Sequence, residues 1–282
     1  MIAIKYKVIK NIGDIERYSY SKLSSFDTCR RMFKLSYLDG IKGWGNGFAQ
    51  LGNLVHSIME RFYSKKLEQF ELSDTFLNEF DEYVPYGVKL RLKGGYTKDL
   101  TDAYKRQCVD FLDKFKGFEG LKVVAIEENF NIIIEIDGKE MLLNGFIDLI
   151  LVDNEGNYYV LDWKSKSKFK SKKEAYEYAK QLYIYAIYIE HKYGAFPKEL
   201  RFMQFRIDHT EIIEFSEEVL NQVIAWISKT INDIDDEMFF CPIDFDDENK
   251  TFFCNNLCDF GQESGLCSFY SEYLKDVRAG FR

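Results

Sequence analysis

The sequence predicts a mixed α/β chain of the α+β kind, with a mainly antiparallel central sheet flanked by helices. Helical periodicity dominates up to about residue 120, three strand-like runs joined by turn signals follow, and helices then alternate with strands. The 282 residues are 46% hydrophobic and 17% aromatic, enough to bury one large core or two small ones. With three prolines, no repeat and no low-complexity linker, a single continuous domain over 1–282 is expected.

Residues 20–38 read as a helix capped near Ser21 or Ser24, with Leu23, Phe26, Phe33 and Tyr37 on its apolar side. The connector GIKGWGNG follows, then a second helix over 50–70, then further helical, partly basic sequence to about Gly120. Residues 57–120 are thus expected as a helical insertion and 121–215 as the sheet and its helix. LKVVAIEENFNIIIEI, the turn Asp137-Gly138, KEMLLNGFIDLILV, the loop DNEGN and YYVLDWK predict a three-stranded antiparallel meander. After it come a helix at 174–193, strands in ELRFMQFRI and EIIEF, a helix at 216–232 and a cysteine-bearing tail over 238–282.

No stretch approaches the roughly 20 apolar residues that cross a bilayer, and the N-terminus shows no signal-peptide pattern. A cytoplasmic location is expected, the host cytoplasm if the gene is phage-borne, with no membrane partner. Six irregularly spaced cysteines then suggest free thiols or metal ligands rather than disulfides. A net charge of -8 weighs against nucleic acid as a partner, yet KSKSKFKSKK (164–173) holds six lysines and no acid. The acids gather instead in DIDDE and DFDDE.

Several chemistries are excluded. The phosphate-loop spacing is absent, so a nucleotide cofactor has no support. No G-x-S-x-G elbow or H-E-x-x-H helix occurs, and only His56, His191 and His209 are available as bases.

If DNEGN is a five-residue loop, facing residues have numbers summing to 310, and Asp148 sits across from Asp162. Lys164 shares that face by the period of two. Paired carboxylates on an apolar sheet are costly unless a cation sits between them, and hard oxygen donors suit magnesium or manganese. The plainer alternative is a structural salt bridge between Asp148 and Lys164 with Asp162 facing water.

The ordered set YSYSKLSSFDTCRRMF, LGNLVHSIME, GFIDLI, VLDWKSK and QLYIYA resembles the PD-(D/E)XK nuclease superfamily, in particular its RecB-like branch, which includes the AddB C-terminal nuclease and CRISPR-adaptation exonucleases. That resemblance implies a restriction-endonuclease-like core and a DNA nuclease using magnesium or manganese. Asp148, Asp162, Lys164, Gln181 and Tyr185 match the catalytic positions. His56, Asp148, Asp162 and an acid of IEENF match the metal ligands; the family pattern points to Glu127, and strand alternation leaves Glu128 open. An exonuclease of recombination, repair or mobile-element processing is implied, with a helicase or adaptation subunit as possible partner. The rival is a degenerate module that binds DNA or assembles a complex.

The resemblance extends to a 4Fe-4S cluster on Cys29, Cys254, Cys258 and Cys267, which would pack the tail against the first helix. The tail spacing C-x-x-x-C followed by eight residues departs from the family's usual C-x-x-C, leaving zinc or plain buried thiols open. Cys108 and Cys241 read as buried thiols outside the set. Lys166, Lys168, Lys170 and Lys172 alternate after Lys164 and, in an extended chain, would form one row along a DNA backbone.

Overall fold

The computed structural model describes residues 5–7, 15–43, 45–92, 96–136, 138–245, 248–261 and 264–278. Strands β1 (Lys5–Lys7) and β2 (Arg17–Tyr18) precede helix α1 (Tyr20–Thr28). Ser19, not Ser21 or Ser24, caps α1, its hydroxyl accepting the Lys22 N–H at 3.1 Å. The helix does not run unbroken to 38. Cys29 is extended (φ -161, ψ 110), and its Sγ caps a new turn, α2 (Arg30–Phe33), by accepting the Met32 N–H at 3.4 Å; a π-helical turn over Lys34–Leu38 completes the segment.

Helix α3 (Gly47–Tyr63) begins at an Asn46 cap and ends earlier than the 50–70 expected. Helix α4 (Leu72–Tyr83), the hairpin β3 (Lys89–Arg91) and β4 (Thr97–Asp99), and helix α5 (Thr101–Lys114) fill the region read as helical insertion.

The meander is present as β5 (Lys122–Ile136), β6 (Lys139–Val152) and β7 (Tyr158–Lys164). Of its first turn, Asp137 is outside the described residues, while Gly138 takes the left-handed φ of 80 that a tight reversal needs. Asp153 organises the second, its Oδ1 accepting the N–H groups of Glu155 and Asn157 at 2.9 Å each. Val152 then faces Tyr158 and Leu149 faces Leu161, the register that an odd loop dictates.

Helix α6 (Lys172–Tyr193) crosses over to β8 (Glu199–Gln204), which therefore lies parallel to β7, and β9 (His209–Glu214) returns antiparallel. Helices α7 (Glu217–Asp236), α8 (Glu248–Asn256) and α9 (Ser268–Arg278) complete the chain. The sheet order is β1-β5-β6-β7-β8-β9, with β2 parallel to β6. It is the mixed, mainly antiparallel sheet between helices that the sequence predicts.

Each face of the sheet carries its own core. Leu149, Leu151, Leu161 and Trp163 pack with α3, α4 and α5, whereas Ile150 and Val160 pack with α6 and α7. Ile147 joins the second group although a regular strand would place it with Leu149, so the pleat of β6 is interrupted at Asp148. The neighbouring strand breaks at the same level, where Glu127 takes a φ of 46 between Ile126 and Glu128. A third cluster joins Leu35 to Cys254, Cys258, Phe260, Cys267 and Tyr270 in the tail. Among the described residues no helix is long and apolar enough to cross a membrane.

Candidate active site

The two interruptions coincide with a gap in the sheet. The ladder between β6 and β7 stops at Leu149 and Leu161, and beyond it the Asp148 carboxylate accepts the Trp163 N–H at 2.7 Å where a backbone carbonyl would otherwise stand. His56 reaches the gap from α3. Its Nε2–H donates to the Trp163 carbonyl at 2.8 Å, and its Nδ1 lies 3.4 Å from Asp148 Oδ2. Nδ1 thus faces the acids, where on losing its proton it would offer its lone pair to a metal ion, the disposition of a metal-binding histidine oriented by a backbone carbonyl.

Glu127 completes the set: one donor atom from each of His56, Glu127 and Asp148 lies within 4.8 Å of the others. The left-handed turn at Glu127 separates it from its neighbour. Glu128 instead accepts from Tyr188 and Lys192 of α6, an ion pair away from the site.

Asp162 stands apart from this trio. It is 1% exposed, and its Oδ2 lies 2.7 Å from Lys164 Nζ without an aligned hydrogen bond. Lys164 also donates to Gln181 Oε1 at 2.9 Å, and Gln181 Nε2 donates to the Tyr185 hydroxyl at 2.5 Å. The spacing of four on α6 puts these two side chains on one face. Asp162, Lys164, Gln181 and Tyr185 thus form a continuous polar chain from β7 to α6. The salt bridge considered for Asp148 and Lys164 is made by Asp162, because the lysine is its neighbour on the same strand face.

The charges are mutually adjusted. Burial pushes the Glu127 carboxyl up to about 7, with the nearby Asp148 charge adding to it. Burial likewise raises Asp162 against the pull of Lys164. Asp148 is also penalised by burial, but His56, the Trp163 N–H and Lys164 together hold it below the usual carboxylate range. For His56, burial lowers the pKa, yet the charge and hydrogen bond of Asp148 prevail and lift it to about 9. A protonated histidine therefore occupies the place of a cation beside two acids.

The lysine row expected after Lys164 does not form. Strand β7 ends there, and Ser171 caps α6 by accepting the Glu174 N–H at 3.2 Å. Lys166 turns back to Glu174 at 3.1 Å, Lys168 and Lys170 are exposed in the connecting loop, and Lys172 opens the helix. Sequence reasoning also missed residues that position the site. Both backbone polar groups of Trp163 serve it, and fully buried Gln204 donates to the Ser167 carbonyl at 2.9 Å, fixing the chain just past Lys164. A glutamine in a strand pattern signals nothing of that role.

Four thiols lie together where the tail meets the N-terminal helices. Cys29, Cys254, Cys258 and Cys267 are buried and line one pocket with Met32, Leu35 and Tyr270. Burial raises the thiols of Cys254, Cys258 and Cys267, and the nearness of the other sulfurs adds to it. Among the described residues the sulfurs furnish no trio within 4.8 Å. Cys108 is buried as expected; Cys241, expected buried, is exposed in the connection between α7 and α8, where no core covers it.

The family model of the PD-(D/E)XK nuclease superfamily matches residues 17–262. No curated protein matches the sequence significantly. The crystal structure of SSO0001 is similar over 92% of this chain and 89% of its own, at 12% identity and a TM-score of 0.38.

Proposed function

The chain belongs to the PD-(D/E)XK nuclease superfamily, and on that premise we propose that it is a DNA nuclease dependent on magnesium or manganese. One observation carries the reading: His56, Glu127 and Asp148 bring donor atoms within 4.8 Å of one another, beside the Asp162–Lys164 pair. The donor set fits a hard divalent ion, since it offers carboxylate oxygens and an oriented imidazole, with the buried Asp162 carboxylate paired to Lys164 beside them. When bound, such an ion polarises the scissile phosphate and lowers the pKa of a water.

The chain's own residues do the rest. Asp148 and Glu127 hold negative charge where the ion is needed, and His56 gives up its proton to offer Nδ1. Lys164, held between Asp162 and Gln181, presents its ammonium to the attacking water or to charge gathering on the phosphoryl oxygens. Lys168, Lys170 and Lys172, exposed beyond the strand, and Lys166 beside Glu174 supply positive charge for the DNA backbone.

For the four thiols we propose a 4Fe-4S cluster. Four buried thiols lining one pocket match the usual ligand set of such a cluster. The exonucleolytic mode, a role in recombination, repair or mobile-element processing, and a helicase-type partner are supported by the resemblance to the RecB-like branch.

The test is cleavage of end-labelled linear and circular DNA with magnesium or manganese. Lys164→Ala should lower the rate by about 100-fold or more while leaving calorimetric metal binding intact. Undiminished cleavage by Lys164→Ala or Asp162→Ala protein would remove the assignment. Wild-type protein that binds DNA and cuts none would be the degenerate module instead.

A further inference from the structure

The polar chain from Asp162 to Tyr185 continues beyond Gln181 into aromatic rings and lysines that the cleavage chemistry does not use. On α6, Tyr178, Gln181 and Tyr185 recur at spacings of three and four and share a face, so Tyr178 extends the stripe by one turn. Its ring is 36% exposed, leans on buried Phe169 at a centroid distance of 5.3 Å, and carries Lys166 Nζ 4.9 Å from its centroid.

Tyr20, at the start of α1, lies on the other side. The two tyrosines belong to packed elements, since α1 lies against α6, and burial raises the Tyr20 phenol. Trp226 of α7 is 6.2 Å from the Tyr20 ring, and Lys180 Nζ lies 4.8 Å from the indole centroid. The indole N–H donates to Asp27 at 2.5 Å, which fixes the tilt of the ring.

The two lysines are not fully committed. Lys166 pairs with Glu174 at 3.1 Å and Lys180 with Glu177 at 2.7 Å, both surface ion pairs of the weak kind that a phosphate can replace. One exposed ring and two partly buried ones, interleaved with cations, have little to offer paired DNA, whose bases are stacked on each other. They suit bases that are unpaired.

We propose that Tyr20, Tyr178 and Trp226, flanked by Lys166 and Lys180, form a stacking shelf for unpaired nucleotides next to the scissile phosphate, selecting single-stranded DNA. This rests on the nuclease reading of the adjoining site and adds to it the strand state of the substrate and the side chains that read it.

The experiment measures binding of a short fluorescent oligo-dT strand and of a blunt hairpin duplex, in chelator so that neither is cut. Tyr178→Ala and Trp226→Ala should each weaken strand binding about tenfold or more and duplex binding little, whereas Tyr178→Phe should bind as wild type does. Near-UV circular dichroism and calorimetric metal binding, unchanged in each variant, would show that the fold and the neighbouring site are intact. Equal losses on strand and duplex, or no loss on the strand, would overturn the shelf. Wild-type cleavage is scored separately with magnesium. If cleavage is robust but both alanine variants bind the strand normally, the shelf falls and the nuclease reading stands. If wild-type protein neither binds nor cuts any DNA, both fall.

Discussion

Glu127 sits half-buried beside Asp148, and its elevated carboxyl ties the site to pH. In the metal-free protein the protonated form is favoured, a contribution to stability that is full below about 4.5 and lost as pH rises through about 7. A divalent ion must displace that proton and the one on His56, so affinity should fall as pH drops from about 8 to about 6, as read by calorimetry. Glu127→Gln should bind the ion more weakly, with a flatter pH dependence, and in chelator should melt no lower than wild type at about pH 8. Constant affinity across that range in the wild type would exclude Glu127 as a ligand. The sequence narrowed this acid to two neighbours and no further, because alternation decides a face only where the pleat is regular. The turn at Glu127 is imposed by packing on both sheet faces, and no residue type announces it.

At the level of elements, the hairpin of β3 and β4 owes its place to one side chain of α8. Asn256, 1% exposed, accepts the Arg91 N–H at 2.6 Å and donates to the Arg91 carbonyl at 3.2 Å, closing the edge of β3 as another strand would. Asn256→Leu should cost about 1–3 kcal/mol by denaturant titration and speed amide exchange at Arg91. Unchanged exchange there would mean that the hairpin is held by other contacts. The meander was legible down to its register, because a five-residue loop and a period of two leave one solution. The break at Cys29 was not. Nothing in DTCRRMF is a helix breaker, and the interruption comes from the thiol competing as a cap. The lysine row is broken for a related reason: Ser171 within the run and Glu174 just beyond it form a helix-start pair that ends the extended chain.

The whole molecule has two cores separated by a sheet and a third gathered around thiols from both ends of the chain. The thiol cluster also touches the active-site helix. Asn46, which caps α3, donates to the Leu257 carbonyl at 2.9 Å and to Asp259 at 3.2 Å, the residues on either side of Cys258. Anaerobically purified protein should be brown with about four irons per chain. Cys258→Ser should bleach it and lower Tm by roughly 5 °C or more, while Cys108→Ser should keep the colour. Colourless wild-type protein with stoichiometric zinc would replace the cluster by a structural zinc site. Cysteine count and order were readable from the sequence, but the link from the residues flanking Cys258 to the start of α3 was not, since it runs from the Asn46 side-chain amide to groups more than two hundred residues away in the chain.

Trp163 shows what such backbone links mean for genetics. Its ring is packed at 5.7 to 6.4 Å centroid distances among Tyr63, Phe111, Phe115 and Phe118. Its N–H and carbonyl meanwhile align Asp148 and His56. Replacing the side chain perturbs that alignment only through packing, so a screen that substitutes residues one at a time would score this position as core and overlook its part in cleavage. The peptide group itself has to be edited to expose it. An amide-to-ester change at Trp163, made by semisynthesis, deletes the hydrogen donated to Asp148 and keeps the indole in place.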